Sequence, residues 1–264
     1  MFSSIFTKTL YSLRWQILGW GVVVGLITFI TISVYDSLAQ SDFQQIVKSI
    51  PDSLKGFIGS TDNYTSINGF LAQQVFGLKV VMFAIAMAIL FFVGISASEE
   101  DDGRLQTLVS LPVSRTKIYF QKWLAVLIAI AAVTGCLTLA IYFGLLSIGK
   151  TADFTHLIES IFSFWLITSC YGMVAYASAM LLGKKGLTTM IAGGYAIFGI
   201  IMTSLAASVE SLKDVDKLSL LHYYNEPQIM QHGLNNEHTL LLLCVFVLLT
   251  LVGWIGFTRR SIGT

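Results

Sequence analysis

The chain has 264 residues, is 55% hydrophobic and 12% charged, and carries 16 basic and 15 acidic side chains for a formal net charge of +1. Its mean hydropathy is +0.75. With about half the roughly 25% charge of ordinary soluble domains, it cannot cover a water-soluble globule, and its near-neutral balance offers nothing to nucleic acid.

In chain order, "MFSSIFTKTLYSLRW" sets Phe2, Ile5, Phe6, Leu10 and Leu13 near one helical face. That predicts a short helix lying on the membrane surface. The first apolar run, 15–35, exceeds the h-region of a signal peptide of about 7–15 residues, so it reads as a spanning helix. Within it "GVVVG", Gly21 to Gly25, permits close helix contact and marks a packing face. A long polar segment follows, and its "FQQIVKSIPDSLKGFIG" has helical spacing. The second run, 80–97, is the shortest. Lys79 at its edge can snorkel, which lets the helix begin nearer Gly69.

Four further runs follow at 124–149, 160–183, 187–209 and 239–258. A span needs about 20 apolar residues, so the expectation is an all-α membrane protein of six spans in a single domain, 1–264. Lys184 and Lys185 separate the fourth and fifth spans by a tight hairpin. Pro51, Pro112 and Pro227 all fall outside the apolar runs, as continuous helices require. Cys136, Cys170 and Cys244 fall inside them, as small core residues rather than a disulfide framework or zinc set. With both termini cytoplasmic, inner segments hold ten Lys and Arg and outer segments six. The short loops follow the positive-inside rule.

"GLLSIGKT", Gly144 to Thr151, satisfies the phosphate-loop pattern, but it ends a spanning run instead of joining a strand to a helix N-terminus. It is not read as a nucleotide site. His222, His232 and His238, with Glu226 and Glu237, have no zinc spacing, so an exposed polar cap is expected. No ionisable residue lies at the centre of any run; Lys79, Glu159 and Glu210 stand at edges. That disfavours an ion-coupled carrier and an intramembrane hydrolase, which needs a positioned base or metal ligands.

The charge gathers instead in the loop 98–123, "SEEDDGRLQTLVSLPVSRTKIYFQKW". Four acids, Glu99 to Asp102, precede Gly103, and a helix from Arg104 to about Leu111 follows, stopped by Pro112. Leu105, Leu108 and Val109 share one face. Ser114 is placed to cap a helix carrying Arg115, Lys117 and Lys122 into the third span. From the residues alone, three readings stand. The segment is a lever that moves the spans, a rod lying apolar face down on the lipid surface, or in part a solvated charge run.

This stretch resembles the cytoplasmic loop of permease subunits in the type-two ABC exporter family. Glu99, Glu100, Gly103, Leu105, Leu108, Ser110, Leu111, Pro112, Val113, Ser114, Arg115 and Lys122 carry the likeness. Before the last span, "LSLLHYYNEPQIMQHG" is similar to the family's "SPFHYxxP"-like stretch through His222, Tyr223, Tyr224 and Pro227. Asp101, Asp102, Gln106 and Leu220 depart from the pattern. The resemblance implies a non-catalytic permease in a bacterial plasma membrane. It would pair with a second permease, alike or different, and with separate ABC ATP-binding subunits. The chain itself would hold no cofactor, ATP and Mg being bound on the partner.

The resemblance also implies roles for the quoted residues. Gly103 to Leu111 would be the coupling helix, with Leu105, Leu108, Val109 and Leu111 as its apolar contacts and Glu99, Glu100, Arg104 and Arg115 as its polar rim. The N-terminal surface helix would be the family's elbow helix, and the segment around His222 to Gly233 a cap over the exit. An apolar pathway suits hydrophobic or amphipathic cargo. An ion-coupled secondary carrier and a non-transporting membrane scaffold remain the alternatives.

Overall fold

The computed structural model describes residues 4–35, 66–110, 112–206, 209–224 and 226–260, with the backbone alone at Glu226, Pro227 and Gln231. In chain order these form α1 (Ile5–Ser33), α2 (Ile67–Gln74), α3 (Leu78–Ile95), α4 (Ala97–Asp101), α5 (Arg104–Val109), α6 (Arg115–Ile148), α7 (Phe154–Leu182), α8 (Lys185–Ala206), α9 (Lys213–Asp216), α10 (Glu226–His232) and α11 (Asn236–Arg259). There is no strand among the described residues. The stretches long and apolar enough to cross a membrane are α1, α3 with α4, α6, α7, α8 and α11. Each of the six predicted runs maps onto one of them.

Two boundaries differ from the sequence reading. The surface helix and first span are one continuous helix, α1, of 29 residues. Ser4 caps it by accepting from the Thr7 N–H, and neither Gly nor Pro interrupts residues 5–18, so nothing breaks the ladder where an elbow was expected. At about 1.5 Å per residue α1 is about 43 Å long, more than the roughly 30 Å of hydrocarbon, so its first turns extend past the apolar layer. The second span starts at Leu78, not near Gly69. The chain breaks at Gly77, where a Cβ would collide with the Gln73 carbonyl, and residues 67–74 form the separate helix α2. The helical reading of residues 43–59 lies outside the described residues.

α7 is the axle of the bundle, with α3, α8 and α11 packed against it, while α1 lies along α6. The centre is aromatic. Tyr119 and Tyr176 stack with ring centroids 4.8 Å apart, and Phe92 lies 5.0 Å from Tyr176. The Tyr176 hydroxyl donates to the Tyr119 carbonyl at 2.9 Å and the Tyr119 hydroxyl to the Thr250 carbonyl at 2.8 Å. These bonds satisfy polar groups that lipid or core could not. Gly172 makes room for the Phe92 ring, which a Cβ there would strike.

The two ends of the bundle are distinct. At one end the Ile5 N–H donates to Gln121 at 3.1 Å, the Lys185 N–H to Asp101 at 3.2 Å, and Arg115 to the Phe257 carbonyl at 3.3 Å. The start of α1, the charged loop, the α7–α8 hairpin and the end of α11 therefore meet on one side, as an even number of spans demands. At the other end the Asp153 N–H donates to Asn68 at 3.3 Å and the Tyr224 hydroxyl to the Phe76 carbonyl at 2.9 Å.

Candidate functional site

The charged loop begins where α3 gives out. Ser96 leaves helical geometry (φ −120°, ψ −91°), and α4 starts directly after it. The acids Glu99, Glu100 and Asp101 thus lie within a short helix, not ahead of one. Asp102 and Gly103 then turn the chain. Gly103 has φ 73°, in the left-handed region that glycine enters without penalty. α5 follows for six residues. Pro112 is exposed beyond it, and Ser114 caps α6 as expected by accepting from the Lys117 N–H at 3.3 Å. Leu111 lies outside the described residues.

The acids are a solvated run only in part: Asp101 and Asp102 are exposed, but Glu99 and Glu100 are not. Glu99 pairs with Lys122 inside the protein, and the Lys122 ammonium also donates to the Ile95 carbonyl at 2.6 Å. Glu100 pairs with Arg260, which donates in addition to the Ala179 carbonyl at 3.3 Å. Asp101 accepts from the Lys185 backbone at 3.2 Å. Arg115 donates to the Arg260 and Phe257 carbonyls. Asp102 and Arg104 form an exposed pair, of a kind worth little.

Glu99, Glu100 and Arg115 were expected at a polar rim facing a partner. They are instead internal ties, binding the loop to α3, α6, the α7–α8 hairpin and α11. A charge at the margin of an apolar bundle is costly unless it is paired or hydrogen-bonded, and each of these three has a partner within the chain. Gly183, at φ 67°, lies beneath the Glu100–Arg260 pair, and a Cβ there would collide with both side chains.

The apolar stripe of α5 also turns inward. Leu105 is 1% exposed and Leu108 7%, and half-buried Val109 packs on the same core. The expectation that they face outward is corrected: the helix satisfies its amphipathic pattern against its own bundle. What α5 offers outward is Arg104, Gln106, Thr107 and Ser110, continued by Pro112.

At the opposite end, the residues after α8 fold back over the bundle. His222 bonds Asp216 at 2.7 Å, and Asp216 also accepts from the Thr203 hydroxyl at 2.8 Å. Tyr223 donates to the Lys217 carbonyl at 3.0 Å, and its ring meets His238 edge-on. Tyr224 reaches down to Phe76. His232 and His238 line a cavity of about 440 Å³ there, but no group of three metal-ligating side chains exists among the described residues. The side chain of Pro227 lies outside the described residues. The structure thus brings His222, Tyr223 and Tyr224 into one folded-back segment.

Residues 7–258 match the family model described as multidrug efflux system permease Rv1217c, C-terminal domain. The chain belongs to this family. The match runs from the first turn of α1 to the last of α11 and so covers all six spans. Among curated proteins, none matches the chain significantly.

Two other motifs of the permease resolve simply. "GLLSIGKT" closes α6: Gly149 has φ 63°, and the N–H groups of Gly149 and Lys150 bond back to the Leu146 and Leu145 carbonyls. A helix C-terminus with its N–H groups occupied does not fit a phosphate. Gly21 and Gly25 pack within the chain, where a Cβ at Gly21 would lie 3.0 Å from the Cys136 sulfur on α6 and one at Gly25 3.8 Å from the Cys136 carbonyl. The sequence reading missed the pairings Glu99–Lys122 and Glu100–Arg260. For the first a signal existed, since the two residues bracket a hairpin of adjacent spans. For Arg260, 160 positions from Glu100, there was none.

Proposed function

We propose that the permease is the membrane-spanning half of a type-two ABC exporter, driven by separate ATP-binding subunits and forming its pathway with a second permease, alike or different. ATP and Mg belong to the partner; this chain supplies the path and the lever. The cargo class is hydrophobic or amphipathic small molecules, and the membrane is the bacterial plasma membrane with the charged loop on the cytoplasmic side.

The observation supporting this reading is the set of ties at that loop. Through Glu99, Glu100 and Asp101, α4 at the end of α3 is fastened to α6, to Arg260 beyond α11 and to the start of α8, and Arg115 ties the start of α6 to the end of α11, so a push on the loop reaches four spans at once. The contact with the ATPase is assigned to the outward face, Arg104, Gln106, Thr107 and Ser110, and not to the buried leucines. Copurification tests it. Arg104→Glu with Thr107→Arg is expected to reduce recovery of the ATP-binding subunit while leaving the permease folded. Full recovery of that subunit together with undiminished efflux would overturn the assignment.

A further inference from the structure

A cavity of about 660 Å³ opens along the flank of the bundle between α1 and α3. Trp20, Val23, Val24 and Ile27 form one wall, Val80 and Phe83 the other. α1 leans on α6 rather than on α3, which leaves the trough between them. Its α1 wall runs from Gln16 to Thr31, about 22 Å at helical rise, most of the roughly 30 Å hydrocarbon layer. Val23, Ile27 and Phe83 are about half exposed, so the trough is open sideways, toward where the acyl chains of a bilayer lie.

Polar groups stand at its ends. Gln74 and Lys79 mark the end away from the charged loop. Lys79 is exposed in the first turn of α3, and no acid among the described residues pairs with it. A long apolar trough closed at one end by an ammonium that no described acid pairs has the polarity profile of a lipid with a negative headgroup. A second copy of the chain is a poorer fit, since a two-fold contact would set Lys79 against the same acid-free lining.

We infer that this groove binds a membrane phospholipid with an anionic headgroup. Its acyl chain lies along Trp20, Val23, Ile27 and Phe83, and its phosphate meets Lys79. The lipid fills the gap that direct α1–α3 packing leaves. Because the groove lies on the flank, the assignment is independent of how the transporter is energised.

The test places the full chain, with whatever subunits copurify, in nanodiscs of brominated phosphatidylglycerol or brominated phosphatidylcholine. The Trp20 signal is taken as the difference between wild type and Trp20→Phe, with Phe83→Trp as a reporter on the facing wall. Phosphatidylglycerol is expected to quench at lower mole fraction, and Lys79→Gln to reduce that preference about five-fold, the effect of one near-surface cation on an anionic lipid. Equal quenching by the two lipids, or a preference that survives Lys79→Gln, overturns the proposal. So does the absence of quenching, and so does a Val23→Cys cross-link between two copies, which would put a second chain in the groove.

Discussion

Lys122 and Glu99 form an ion pair sealed between α3, α4 and α6, with the lysine 1% exposed and its ammonium also bonded to the Ile95 carbonyl at 2.6 Å. The buried ammonium is thereby satisfied where it has almost no access to water. Such a pair costs desolvation, and its worth shows mainly when one partner is lost.

Removing one partner is therefore expected to be severe and removing both mild. Glu99→Ala or Lys122→Ala should destabilise the permease by about 3–5 kcal/mol. The double variant Glu99→Leu with Lys122→Met should recover most of the loss. Thermal unfolding of the purified chain measures all three, and the non-additivity gives the coupling between the sites. Equal losses in single and double variants would mean that packing, not charge, holds the joint.

Gly183→Ala should destabilise by at least about 1–2 kcal/mol, the cost of forcing an L side chain into left-handed backbone. The added methyl also displaces Glu100 and Arg260. A Gly183→Ala variant with an unshifted melting temperature would contradict the geometry beneath that pair.

The α1–α6 contact predicts a disulfide. A Cβ at position 21 lies 3.6 Å from the Cys136 Cβ, inside the usual range of about 3.5–4.5 Å. In a Cys170→Ser and Cys244→Ser background, Gly21→Cys should oxidise within one chain, read by mass spectrometry as a peptide pair linked between the introduced thiol and Cys136. A covalent dimer instead would place the "GVVVG" face between chains.

α5 predicts a contrast between neighbours. Leu108→Asp buries a charge in the core and should abolish folding or recovery. Thr107→Asp, on the exposed side of the same helix, should leave the stability within about 0.5 kcal/mol of wild type, read from the melting temperature.

The spans were legible because length and apolarity decide them: six runs of about 20 residues without a central charge admit few other structures. The stops were legible as well, with Ser114 capping α6 and Gly149 ending it. The elbow was not, because an amphipathic pattern gives a helix but not the angle at which it meets the next one, and the residues before Trp15 simply continue into α1. At the loop, the spacing of Leu105 and Leu108 correctly gave one apolar face. Which surface covers that face is a tertiary fact that spacing does not encode, and the core claimed it. The ties made by Glu100 and Arg115 depend on the far end of the chain and left no local trace.

The Glu99–Lys122 pair bears on how the protein is made. Its carboxylate leaves the ribosome 23 residues ahead of its ammonium, at the close of one span and the opening of the next. Until the third span is synthesised, Glu99 has no cation to meet in its final place. The second and third spans are therefore expected to enter the bilayer together as a hairpin, with assembly of the remainder waiting on that step.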